Sequence, residues 1–157
     1  MQKITLIHKP ARSIIGIEGR GLTSEGPQWI FPLWAQAGQR RHEIADSILD
    51  EGWGCMSSAD EFLAPWGEGE GRYLAGWELK GEQPDIPGWT VWQLPAMTLA
   101  TLKCNMADYW LALNTLHSLV EQNPKLRQAG ATHQCYPPHF TGSPDEEIQV
   151  MMMVEEI

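Results

Sequence analysis

Concentrated positive charge is what this sequence has least of. Eleven Lys and Arg stand against 20 Asp and Glu, for a formal net charge of -9, and the basic residues cluster nowhere beyond Arg40-Arg41. Nucleic-acid affinity rests on clustered cations, so direct nucleic-acid binding is disfavoured. Long apolar runs are missing as well: no stretch approaches the roughly 20 residues that span a bilayer. Met1 to Lys9 lacks the apolar core and small-residue cleavage site of a signal peptide, and the expectation is a cytoplasmic protein without membrane association. The three cysteines, Cys55, Cys104 and Cys135, form an odd, sparse set rather than a disulfide framework. There is no nucleophile-elbow Ser, no phosphate-binding Gly-Lys-Thr loop and no close His/Asp pair, so no catalytic residue and no cofactor are assigned.

What is abundant is Trp, with eight, whereas Phe and Tyr contribute three each. Trp brings a large apolar face and one N–H donor, which serves a bulky core or an aromatic binding wall equally. The 157 residues fit one domain with its own core.

The order of elements before Gly81 is repeated after Gly88. Arg12 to Gly19 is rich in β-branched residues and follows Pro10, which suits a strand. Ile30, Leu33, Trp34, Ala37, Ile44 and Ile48 recur at helical steps, with Pro32 expected in the first turn of that helix. Trp53–Ser57 and Arg72–Leu79 read as strands around a Gly-rich loop. After the Gly81–Gly88 linker, Thr90–Leu94 and Met97–Lys103 read as one strand bent at Pro95. A second stripe from Tyr109 to Val120 reads as a helix, capped by Asn105 or Asp108 and stopped by Asn123-Pro124. A short helical turn over Pro124–Gly130 and strands at Thr132–Tyr136 and Ile148–Val154 complete the second half.

A strand-helix-strand-strand unit leaves sheet edges and one face bare, so two copies are needed to close a core. The expectation is an α+β fold over residues 1–157, with half-repeats at about 4–80 and 89–157. It has pseudo-two-fold symmetry, an antiparallel sheet, both helices on one side and a ligand groove at the seam.

Several segments resemble one family in the correct order. They are Leu33-Trp34 followed by Arg-x-x-Glu-Ile with Arg40 or Arg41; Tyr73-Leu74-Ala75-Gly76-Trp77-Glu78; Leu94-Pro95-Ala96; and Gln134-Cys135-Tyr136-Pro137-Pro138-His139-Phe140. The chain is similar over nearly its whole length to the GyrI-like domains, which also serve AraC-type and MerR-type regulators as effector-binding domains. The resemblance implies a pocket for aromatic or amphipathic compounds, cations among them, in which a buried Glu meets the positive charge. Here that Glu position holds Gln134, which donates and accepts hydrogen bonds but carries no charge.

The candidate ligand-binding residues are Trp53, Met56, Tyr73, Trp77, Glu78, Trp110, Gln134, Tyr136 and Phe140. Trp34 is assigned to the core. The loop Ala64–Gly71 combines Trp66 with flexible glycines and is a candidate lid. His133, Cys135 and His139 supply metal-ligand types, but no fourth ligand follows, so no metal is assigned. Cys55 and Cys135 hold similar places in the two halves. The resulting expectation is a stand-alone sensor or sequestering module. The alternatives are a hydrolase of reactive electrophiles with Glu78 or another carboxylate as general base, and a gyrase-inhibitor-like protein-interaction inhibitor.

Overall fold

The computed structural model describes residues 3–157. Eight strands form one antiparallel sheet: β1 (Thr5–Lys9), β2 (Arg12–Leu22), β3 (Ile48–Ser58), β4 (Glu70–Leu79), β5 (Thr90–Leu94), β6 (Met97–Asn105), β7 (Leu126–Tyr136) and β8 (Glu147–Glu156). Helix α1 spans Gly26–Arg40 and α2 spans Tyr109–Gln122. The strand order is β1-β6-β8-β7-β3-β4-β2-β5. Read backwards, that order exchanges β1 with β5, β6 with β2, β8 with β4 and β7 with β3, which is the expected pseudo-two-fold. Its axis passes between β3 and β7, where Gly54 faces Gln134.

The edge strands are traded between halves. β1 pairs with β6, with Ile7 opposite Leu99, and β5 pairs with β2, with Trp92 opposite Ile14. Pro95 does not bend one strand; it separates β5 from β6, which lie at different places in the sheet. β1 itself was not anticipated.

Helix α1 also differs from its apolar stripe. It stops at Arg40, two short 3-10 turns follow, and Ile48 opens β3. Ile44 and Ile48 are buried, 1% and 3% exposed, but they reach the core from the turn and the strand. Pro27 occupies the first turn, and Pro32 lies inside the helix. The predicted turn over Pro124–Gly130 is instead the start of β7, which carries a register shift between Gln128 and Thr132. β3 has the matching irregularity between Ile48 and Gly52.

Side chains alternate across a strand, and the register therefore sorts the residues onto two faces. Ile15, Ala75, Leu33 and Ala37 pack together under α1, and Leu102, Val150, Met152, Leu116 and Val120 pack under α2. Both helices thus cover the same face. The sheet curls, and its other face closes over Ile14, Trp53, Cys55, Leu74, Leu99 and Met151, with Ile7 of β1 packed against them. Among the described residues, no helix is long and apolar enough to cross a membrane.

Candidate functional site

The two helices leave the middle of their face uncovered, over β3 and β7. Small residues there open the floor. A side chain at Gly52 would meet the Trp34 indole, and one at Gly54 would coincide with the Tyr73 hydroxyl and the Gln134 carboxamide. Two contiguous chambers result. The inner, of about 310 Å³, is walled by Met56, Tyr73, Tyr109, Trp110 and Gln134, with Trp66 at one end. The outer, of about 600 Å³, is walled by Trp77, Phe140, Pro137 and Gly52 and carries Arg41 and Asp50 at its rim. Phe31, Trp34, Met106 and Tyr136 line both.

Gln134 is buried, 2% exposed, and fully engaged. Its Oε1 accepts from Tyr73 Oη at 2.7 Å and from Tyr136 Oη at 3.4 Å. Its Nε2 donates to Tyr109 Oη at 2.8 Å and approaches Met56 Sδ at 3.9 Å. Trp34 Nε1 donates to Tyr73 Oη at 3.0 Å. These bonds set the orientation of the amide, because the reversed amide would lose the acceptor that Tyr73 needs. Tyr109 receives a hydrogen bond from Gln134, and its own O–H remains as a donor at the wall of the inner chamber. Burial raises the titration of Tyr73 and Tyr109 and pushes Tyr136 up to about 12, so all three phenols are neutral donors near pH 7. Among the described residues, no Asp or Glu lines the inner chamber.

The aromatic walls support one another. Trp34 meets Tyr136 edge-on at 5.2 Å and Trp77 at 6.1 Å, and Tyr136 lies 4.8 Å from Phe140. Edge-on contacts of this kind hold rings in place beyond what area burial provides. Trp66 stacks on Trp29 at 5.6 Å, and its Nε1 donates to the Ser57 and Arg72 carbonyls at 3.0 and 3.2 Å. The aromatic of the Gly-rich loop is therefore anchored to the ends of β3 and β4 as an end wall of the inner chamber.

The structure brings Met56, Tyr73, Trp110, Gln134 and Tyr136 to the inner chamber and Trp77, Tyr136 and Phe140 to the outer one. It places two candidates elsewhere. Trp53 and Glu78 belong to the opposite face of the sheet. Trp53, 2% exposed, lies in the closed core there, with the Arg12 guanidinium 4.1 Å and Lys9 Nζ 5.5 Å from its ring centre. Glu78 stands opposite Ile14, and its carboxylate is 3.6 Å from Arg12 Nη1. Strand alternation is the reason: Trp53 is an odd number of residues from Met56, and Glu78 follows Trp77 directly. Glu78, the carboxylate named for the hydrolase alternative, is thereby outside the cavity.

Trp34, read as core, does pack against the core under α1, and it also lines both chambers. Tyr109 and Phe31 were missed; Tyr109 opens α2 and Phe31 lies in the second turn of α1. His133 and Cys135 lie on the opposite face while His139 lines the outer chamber, so the three do not converge. His133 Nδ1 accepts from the Met56 amide at 3.3 Å, and burial lowers its titration to about 3. Cys55 and Cys135 sit on adjacent strands as free thiols, each pushed up to about 12 by burial.

Comparison with known proteins gives no matching family model and no matching curated sequence. Solved structures do match. SAV2435 bound to tetraphenylphosphonium superposes with a TM-score of 0.73 at 14% identity, covering 98% of this chain and 94% of that one. The C-terminal domain of EcmrR gives 0.66 at 13% identity over 100% and 99%. The integron cassette protein VCH_CASS2 of Vibrio cholerae gives 0.61 at 7% identity over 97% and 95%. The likeness spans the whole chain, and at these identities it is one of fold.

Proposed function

We propose that this chain, whose fold is the GyrI-like effector-binding fold, acts as one unit that takes a small aromatic compound into the inner chamber, as a sensor or sequestering module. The observation that carries the reading is the Gln134 network. A concave, indole- and phenol-walled space of this size is at the lower end of the roughly 300–1,000 Å³ typical of small-molecule sites, and its floor is polar but neutral. A buried carboxylate would demand a positive ligand, because leaving it unpaired costs several kcal/mol. An amide satisfied on both atoms demands none. The Tyr109 O–H offers one hydrogen bond to an acceptor on the ligand.

The fold neighbour SAV2435 holds tetraphenylphosphonium, a lipophilic cation. In this chain cations are accommodated by ring faces, worth about 0.5–2 kcal/mol per contact, without a fixed counter-charge in the inner chamber. The part of the ligand seated in the inner chamber is accordingly a neutral or weakly basic ring system with a hydrogen-bond acceptor.

Titration of intrinsic Trp fluorescence with triphenylphosphine oxide and with tetraphenylphosphonium tests this. The two share their phenyl rings; one is neutral with an exposed acceptor and the other is a cation. Saturable quenching by both is expected, with the oxide bound at least as tightly. Absence of saturation across both compounds overturns the binding reading, and a strong preference for the cation overturns the neutral-floor argument.

A further inference from the structure

The outer chamber contains a charged group that the inner chamber lacks, and its state differs from that of its sequence neighbour. Arg40 is fully employed: it donates through Nε and Nη2 to both carboxylate oxygens of Glu43, at 2.9 and 2.7 Å, and through Nη2 to the Pro87 carbonyl at 2.8 Å. Arg41, one residue on, points along the outer chamber. Its guanidinium lies over the Trp77 ring, 5.4 Å from the centroid. Among the described residues its one ionic neighbour is Asp50, whose Oδ1 is 3.6 Å from Nη2, with the Asp50 side chain 78% exposed and that of Arg41 37% exposed. That separation is too long for a hydrogen bond, and a pair this exposed contributes little.

A guanidinium presents five donors in a planar fork that matches a carboxylate or sulfonate with two parallel bonds. Arg41 offers that fork over the Trp77 ring at the rim, with no hydrogen-bond acceptor on it among the described residues, in a chamber contiguous with the inner one through Phe31, Trp34, Met106 and Tyr136. We infer that the outer chamber is a subsite for the anionic substituent of an aromatic ligand, with Arg41 as its partner. The inference rests on the reading of the inner chamber as the ring-binding site, and it narrows the ligand class to amphipathic aromatic acids. The sign follows from position. Asp50 is the more exposed of the pair, where its field is screened and its side chain can swing aside, whereas Arg41 is less exposed and lies over the Trp77 ring of the chamber wall.

The pair 1-anilinonaphthalene-8-sulfonate and N-phenyl-1-naphthylamine supplies the same ring system with and without the acid. Their dissociation constants, read from Trp quenching on the full chain, give a ratio that reports the outer chamber alone. The sulfonate is expected to bind more tightly than the neutral amine. Arg41→Gln is expected to shift the ratio about tenfold against the sulfonate, the scale of one lost charge-assisted hydrogen-bonded pair. Asp50→Asn removes a competing anion at an exposed position and is expected to shift it two- to threefold the other way, roughly the worth of an exposed ion pair. A ratio unmoved by both substitutions overturns the inference while leaving inner-chamber binding intact. If neither dye saturates, the ring-binding reading fails and the inference falls with it.

Discussion

At Gln134 an amide stands where the resemblance places a carboxylate, and the phenols around it would respond differently to the two groups. With Gln, Tyr73 and Tyr136 donate to Oε1, and Tyr109 accepts from Nε2, so its own proton faces the chamber. With Glu, both oxygens are acceptors, and Tyr109 would turn its proton inward to the new carboxylate. Gln134→Glu therefore adds a negative charge and withdraws the donor offered to the ligand. Its expected result is a rise of at least about tenfold in tetraphenylphosphonium affinity, together with weaker triphenylphosphine oxide binding. The cation gain should grow as pH rises, since burial opposes ionisation of the carboxyl. Equal changes for both compounds would show that Gln134 does not set the charge preference. Gly54 guards the same network: the methyl of Gly54→Ala would occupy the place of the Tyr73 hydroxyl and the Gln134 carboxamide. Overpacking of this kind costs about 1–3 kcal/mol, and chemical denaturation should show that loss together with loss of ligand quenching.

His133 gives the residue scale a pH signature. It is 1% exposed, and burial lowers its titration from the ordinary 6.5 to about 3. Between those values the unfolded chain binds a proton that the folded chain refuses. Stability is therefore complete above about pH 6.5 and is lost as pH falls toward 3, with a slope of up to about 1.4 kcal/mol per pH unit. Glu43, which the Arg40 hydrogen bond lowers from 4.5 to about 2, loses its contribution below about pH 4.5, so it overlaps the His133 loss only beneath the range from 6.5 to 4.5. Denaturation midpoints measured from pH 6.5 to 4.5 should fall steadily in the parent chain and flatten in His133→Gln. Equal slopes would mean that the imidazole is not the group being titrated.

At the scale of elements, the traded edge strands bind the halves together. β1 belongs to the first half in sequence but covers the β6 edge in the second, and its Ile7 packs on the core of the closed face. Deleting residues 1–9 would bare that edge and unseat Ile7. The midpoint temperature should fall by at least about 5 °C, with concentration-dependent association through the exposed strand visible by size-exclusion chromatography; an unchanged midpoint and monomeric elution would show β1 to be dispensable.

The exchange was partly legible. Lys9-Pro10-Ala11 and Leu94-Pro95-Ala96 occupy the same junction in both halves, but Pro95 was read as a bend because strand pairing is long-range and a local pattern cannot show which partner a strand finds. The symmetry itself was readable from element order. The end of α1 was not, because Ile44 and Ile48 continue the helical spacing while being buried from turns and a strand. For the cavity, Met56, Tyr73, Gln134 and Tyr136 were reachable from the strand pattern and the resemblance. Trp53 and Glu78 were misplaced because residue type outweighed the alternation that puts them on the other face. Tyr109 and Phe31 enter from helices and Trp66 from a loop, whose approach to the seam only tertiary structure fixes.

On the scale of the whole molecule, charge acts at a distance that the chambers do not share. The formal net charge of -9 sets up a field that draws cations and repels anions, whatever the local preference of the site. Screening separates the two contributions. The Debye length is about 10 Å at 0.1 M salt and about 3 Å at 1 M, so added salt erases the global field much faster than a contact at a partly buried group. Tetraphenylphosphonium, attracted by the field alone, should bind more weakly as salt rises. Triphenylphosphine oxide should be nearly indifferent, apart from the modest gain that salting-out gives any apolar ligand. An aromatic sulfonate seated on Arg41 should bind more tightly as salt rises through the low range, because the repulsion it must overcome is long-ranged and the fork that holds it is not. Isothermal titration of the three compounds at 0.05, 0.15 and 0.5 M sodium chloride (about 14, 8 and 4 Å of screening length) would show three slopes of different sign. If the sulfonate weakens in step with the cation, the dominant charge it meets is a local cation screened like any exposed ion pair, and the acidic surface plays no part in selecting what enters the cleft.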